Sequence, residues 1–144
     1  MIEGCIFCQI VSGQAQASFV HQDDAVVAFL DIQPITPGHL LVVPREHVER
    51  MGDLRDLTAA RVFQVAGRLA GALRRSGLRC EGINLFVMDG EAAFQDVPHF
   101  HVHVIPRFKG DGFGLTFPPG YGREVQRSEL EALAAAVRAV VAPA

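Results

Sequence analysis

The chain has 144 residues, 49% of them hydrophobic and 20% charged, with a mean hydropathy of +0.23, which suits one compact domain over 1–144 and excludes a disordered chain. Thirteen Lys and Arg against sixteen Asp and Glu leave a net charge of -3, without the basic excess of a duplex binder, so no nucleic-acid partner is expected. No apolar run approaches the roughly 20 residues of a membrane span and the first residues carry no signal-peptide core, so the expectation is a cytoplasmic protein with no membrane partner.

In chain order, the first feature is Cys5-x-x-Cys8. Three cysteines are an odd number, which disfavours a disulfide framework, so the pair reads as metal ligands or as a redox couple, and Cys80 as a small apolar residue. Ala25–Leu30 and His39–Val43 are β-branched and apolar, and read as two strands joined by the loop Pro34–Gly38, with Pro44 ending the second. From Asp53 to Arg75 the apolar residues Val62, Val65, Ala66, Leu69 and Leu73 recur at helical steps, with Asp53 or Asp56 as N-cap and Gly77 beyond the end. Ile83–Met88 and His99–Ile105 read as two more strands. Ser128-Glu-Leu-Glu131 reads as a capping box opening a C-terminal helix through Val137 and Val140. Strands outnumber helices, so the fold class is α+β.

The most informative segment is His99-Phe-His-Val-His-Val-Ile105. Side chains alternate across a strand, so His99, His101 and His103 share one face, and Phe100, Val102 and Val104 the other. Neighbouring imidazoles repel when charged, so this spacing favours neutral rings acting as nucleophile, base or metal ligand.

The pattern His-φ-His-φ-His-φ-φ, with φ apolar, resembles the signature of the histidine-triad (HIT) family of nucleotide hydrolases and transferases. Cys5 to Val11, Phe29-Leu-Asp-Ile32, Pro37 to Pro44, His47, Gly82-Ile-Asn84 and Gln95 follow the order of that family, over residues of about 5–108, with 109–144 left as a loop plus the C-terminal helix. The chain looks most like the Hint-like branch, small homodimers that cleave nucleoside phosphoramidates and adenylated molecules. That resemblance implies an antiparallel sheet joined to its copy, one main helix, and a purine nucleotide substrate containing AMP.

The resemblance makes His101 the nucleophile, attacking an α-phosphorus to leave a covalent nucleotidyl-histidine that water hydrolyses, with no metal required for catalysis. It makes His103 a hydrogen-bond donor to phosphate or leaving group, and puts His39 near the phosphate. Asp31 and Ile32 fall at ribose and base positions, Phe29 at the base or in the core, and Asn84, Gln95 and Asp96 near the pocket. Asp31 also suits a simple turn, and either amide a structural role. Two departures are Met88, where relatives carry an amide, and Asp96, where they carry Ser or Thr. An ionised Asp96 only accepts hydrogen bonds, so its side chain is expected to turn away and leave its N–H as donor.

Some Hint-like bacterial relatives hold a structural zinc with this cysteine pair, and the resemblance implies Cys5, Cys8, His47 and His99 as the matching ligands. Two thiolates and two imidazoles close a tetrahedron and leave no open position for substrate. Competing functions are hydrolysis of dinucleoside polyphosphates of the diadenosine tetraphosphate type, a nucleotide-binding regulator with vestigial catalysis, and a catalytic metal on the three triad histidines.

Overall fold

A computed structural model describes residues 4–141, which form two compact units, one ending at Phe113 and the other beginning at Gly114. The first unit is an α+β fold around a five-stranded sheet in the order β1-β2-β3-β5-β4, every neighbouring pair antiparallel. The strands are β1 (Phe19–Gln22), β2 (Val26–Leu30), β3 (Leu40–Pro44), β4 (Gly82–Val87) and β5 (Val102–Arg107), with helices α1 (Ile6–Val11) and α2 (Asp56–Arg75). The second unit carries α3 (Arg127–Arg138).

Period-two alternation sends the apolar residues of β2 and β3 to both faces of the sheet, and both faces there are covered. Val26, Ala28, Leu40, Val42, Val102 and Val104 pack with Val62, Val65, Ala66 and Leu73 of α2. On the opposite face Val27, Phe29, Leu41 and Val43 pack with Cys5, Phe7, Cys8 and Ile10. The histidines of the 99–103 segment fall on this second face. It is therefore a covered layer of imidazoles: His99, His101 and His103 are 0%, 3% and 8% exposed.

Several expected boundaries shift. α1 and β1 carry too few residues for a periodicity signal and were not foreseen. The His99–Ile105 strand pairs only from Val102, because Phe100 N–H bonds to Val48 rather than to a strand, and it continues to Arg107. α2 is capped by Arg55 with no side-chain hydrogen bond, so neither Asp53 nor Asp56 serves as N-cap. The expected capping box fails too. Gln126 precedes the first helical residue of α3, Ser128 lies inside the helix, and the helix stops before Val140.

Gly38 deserves its place before β3. Its φ is +93°, and an added Cβ would lie 2.8 Å from Leu78 Cδ1, so the turn that delivers His39 to the sheet needs glycine. The His39 N–H then donates to the Thr36 carbonyl at 3.0 Å, and the Thr36 hydroxyl to Pro106 at 2.6 Å.

Candidate active site and metal centre

Four histidines meet in one buried layer, and their hydrogen bonds fix where each ring carries its proton. His101 Nδ1 lies 2.7 Å from the His99 carbonyl oxygen. A carbonyl only accepts, so Nδ1 carries the hydrogen and the Nε2 lone pair is left facing the cavity. His39 Nδ1 accepts from the Ile35 N–H at 3.1 Å, so a neutral His39 carries its hydrogen on Nε2. That group donates to His103 Nδ1 at 2.9 Å. His103 is thereby held with its hydrogen on Nε2, a buried atom with no protein partner. The layer thus presents to one cavity a lone pair on His101 and an N–H on His103.

Burial disfavours the charged form of His39, His99 and His103. Desolvation, reinforced by neighbouring His101 and His39, pushes His103 down to about 4 from an ordinary 6.5. His39 and His99 move the same way, with burial the leading cause. Between pH 6.5 and 4 the unfolded chain therefore takes up a proton at His103 that the folded chain refuses, and stability falls as pH drops through that window. The expected loss from this group is roughly 3 kcal/mol. Urea unfolding at neutral pH and below pH 5 measures it, and His103→Gln should flatten the dependence; equal flatness in the parent protein would refute the buried neutral ring.

A cavity of about 300 Å³ opens onto this layer, lined in part by Ile6, Phe7, Phe29, Asp31, Ile32, Asp96, His101 and His103. That volume is at the lower end for small-molecule sites. A larger groove of about 550 Å³ at the start of α2 contains none of the histidines. Phe7 seals the layer from above, its ring edge-on to His101 at 5.1 Å and to His99 at 5.9 Å. Sequence reasoning assigned Phe7 no role. The available signal was Phe7 and Ile10 spaced three apart beside Cys8, one face of a short helix.

The remaining expected site residues separate clearly. Phe29 is both core and cavity wall, at 3% exposure, while Ile32 is 94% exposed at the rim. Asp31 divides its carboxylate: Oδ1 accepts from the Gln33 N–H at 2.8 Å, closing a turn, while Oδ2 lies 3.6 Å from His39 Nε2. His39 itself is 2% exposed, does not line the cavity, and reaches it through His103. Asn84 and Gln95 do not line the cavity either. Asn84 Oδ1 accepts from Arg107 at 2.5 Å, and Gln95 ties Gly90 N–H to the Glu49 carbonyl at 2.8 and 2.9 Å. Both amides are occupied structurally. Asp96 corrects the expectation that its side chain turns away: it lines the cavity, with Oδ1 3.9 Å from His101 Nε2.

A second cluster lies directly behind the first. Cys5, Cys8, His47 and His99 each offer a ligand atom, all within 4.8 Å of one another. Cys5 Sγ and Cys8 Sγ lie 3.5 and 3.7 Å from His99 Nδ1, and Cys8 Sγ lies 3.3 Å from His47 Nδ1. Zinc bonded to sulfur at about 2.3 Å and to nitrogen at about 2.0 Å on a tetrahedron implies an S···N edge near 3.5 Å, so the donor set fits the metal. His99 Nε2–H donates to the Pro44 carbonyl at 2.9 Å, which leaves Nδ1 free to ligate. Without metal, burial pushes the Cys5 thiol up.

Asp31, His39 and His103 also approach one another closely enough to suggest an ion site. The hydrogen bonds argue otherwise: with Nδ1 accepting from Ile35, His39 Nε2 keeps its hydrogen and has no lone pair for a metal.

Comparison with known proteins places these features in context. A family model described as the HIT domain matches residues 12–110. An uncharacterised HIT-like protein of Borreliella burgdorferi is 46% identical over 112 residues, covering 77% of this chain and 81% of the relative. The crystal structure of a HIT family protein from Bacillus anthracis superposes with a TM-score of 0.89 at 36% identity, over 99% of this chain and 100% of the other. A zinc-bound histidine triad family protein from Mycobacterium smegmatis gives 0.74 at 39% identity, over 96% and 98% of the two chains.

Proposed function

This chain belongs to the HIT family of nucleotide-binding hydrolases and transferases, and on that footing we propose that it cleaves nucleoside phosphoramidates or adenylated small molecules at the α-phosphorus. The reaction runs through a covalent nucleotidyl-His101. The observation that carries this reading is the 2.7 Å hydrogen bond from His101 Nδ1–H to the His99 carbonyl, which leaves the Nε2 lone pair facing the cavity. Nε2 attacks phosphorus, the bond to the leaving group breaks, and water then displaces His101. His103 Nε2–H donates to a phosphate or leaving-group oxygen or nitrogen as charge moves. His39 acts one step back, as the residue that holds the hydrogen of His103 in place. Asp31 and Ile32 at the rim, with Phe29 beneath, are suited to ribose and base; Asn84 and Gln95 support the loops around them.

The metal that this reading includes is a structural zinc on Cys5, Cys8, His47 and His99, supported by the tetrahedral spacing of the four donor atoms. It supplies no step of the reaction. When bound it fixes α1 and His99. The Cys5 and Cys8 thiolates and the Nδ1 atoms of His47 and His99 would hold it. The reading also takes the chain as a cytoplasmic homodimer joined through β4, the terminal strand of the sheet, where Leu85 and Val87 are each 39% exposed.

The test is AMP release from adenosine 5′-phosphoramidate and from diadenosine tetraphosphate, with no metal added. Release from the phosphoramidate supports the reading. Cleavage confined to the dinucleotide would move the chain to polyphosphate hydrolysis, and bound but uncleaved nucleotide would make it a regulator.

A further inference from the structure

We propose that Asp96 is a specificity-determining residue, which favours leaving groups carrying a primary ammonium and disfavours polyphosphate chains. The inference rests on the phosphoryl-transfer reading above and deepens it. Asp96 Oδ1 lies 3.9 Å from His101 Nε2, and its side chain is 78% exposed. Ile6, Asp96 and Val97 form a shared rim: they line the histidine cavity and also a second cavity of about 400 Å³ that contains Glu49. A leaving group that extends from His101 across this rim meets two carboxylates.

Neither cavity is lined by Lys or Arg among the described residues. The nearby Arg50 faces Asp89 instead, at 3.6 Å. The buried donor on hand for a phosphate is the unpartnered His103 Nε2–H, in the same wall as His101 and Asp96. That donor marks where the phosphoryl oxygens go, while the carboxylate beside Nε2 makes the surrounding field negative. Each further phosphate on the leaving group adds a repelled charge. An alkylammonium on the leaving group adds an attracted one. Because Asp96 is exposed, the expected preference is modest, about threefold to fivefold, and it weakens with salt.

The experiment compares kcat/KM at low salt for adenosine 5′-phosphoramidates of putrescine and of butylamine, which differ by one terminal ammonium, with diadenosine tetraphosphate alongside. The parent protein should prefer the putrescine amidate about threefold to fivefold. In Asp96→Asn, which keeps the oxygen that accepts from Val97 N–H at 2.9 Å and leaves Glu49 in place, the ratio should fall toward one while the tetraphosphate gains relative to the butylamine amidate. A ratio of one in the parent, or an undiminished ratio in the variant, would overturn the proposal and leave the phosphoramidate reading standing. Absence of AMP from both amidates would instead remove that reading. Equilibrium binding of the two amidates then decides: equal affinities overturn charge selection, and tighter binding of the putrescine amidate, lost in Asp96→Asn, upholds it.

Discussion

Replacing His101 with Gln should lower kcat for AMP release from a phosphoramidate by a factor on the order of 10⁴ or more while leaving AMP affinity within about threefold. The asymmetry follows from what the ring does. In the proposed reaction its Nε2 makes the bond to phosphorus, so losing it removes the covalent route altogether, whereas the cavity walls proposed for the nucleoside are Phe29, Asp31 and Ile32. Glutamine is the better first choice than alanine because His101 is 3% exposed beneath Phe7, and its amide can still donate to the His99 carbonyl. His101→Ala tests the same point at a greater cost in packing. His103→Leu should be milder, about 10² to 10³ in kcat, the usual effect of losing one donor to developing charge. Single-turnover kinetics beside calorimetric AMP binding separate these outcomes. Activity of His101→Gln within tenfold of the parent would rule out the nucleotidyl-histidine.

The second large effect concerns the metal. Protein purified without chelator should carry about one zinc per chain, and stripping it or introducing Cys8→Ser should lower Tm by about 10 °C or more, because metal binding to the folded state adds its free energy to folding. Activity should fall as well, although the proposed reaction has no step at the zinc. His99 connects the two effects: its Nδ1 faces the thiols while its carbonyl holds the Nδ1–H of His101. α1 connects them again, since it carries both Cys8 and the Phe7 and Ile10 that wall the cavity. Cys80→Ser is the matched control; Cys80 donates to the Gly82 carbonyl outside the cluster and should leave zinc content unchanged. Zinc far below one per chain in freshly purified protein would return Cys5 and Cys8 to the redox reading.

Much of this is legible in the amino-acid sequence, for reasons that differ by residue. The 99–103 alternation put three imidazoles on one face because period two is a geometric property of extended chain, and it held although His99 and His101 precede the paired part of β5. β2 and β3 were legible as unbroken apolar runs flanked by Asp, Pro and Gly, and α2 by apolar residues at helical spacing. α1 was not, since six residues give too little periodicity, and with it went the role of Phe7. The covering of the histidine face was hidden for the same reason. Family order placed Asn84 and Gln95 near the site, but their amides are taken up by Arg107, Gly90 and Glu49, partners that no local pattern announces. Asp96 was misjudged because electrostatic repulsion from a phosphate was weighed and the position of the backbone was not. The carboxylate sits beside His101 because Val97 N–H holds its Oδ1 there.

The Ile35–His39–His103 chain of hydrogen bonds has a consequence for how far each position is free to drift. In the proposed site His99 gives a lone pair to a metal and His101 one to phosphorus, and a carboxamide nitrogen has no such lone pair to give. His39 needs only to accept on one atom and donate from another about two ångströms away. A carboxamide offers that pair of atoms. Position 39, which meets neither metal nor phosphorus in the proposed reaction, should therefore be a histidine at which relatives could exchange imidazole for Gln or Asn and keep the proton of His103 where it is, so that natural variation would be wider at His39 than at His99 or His101.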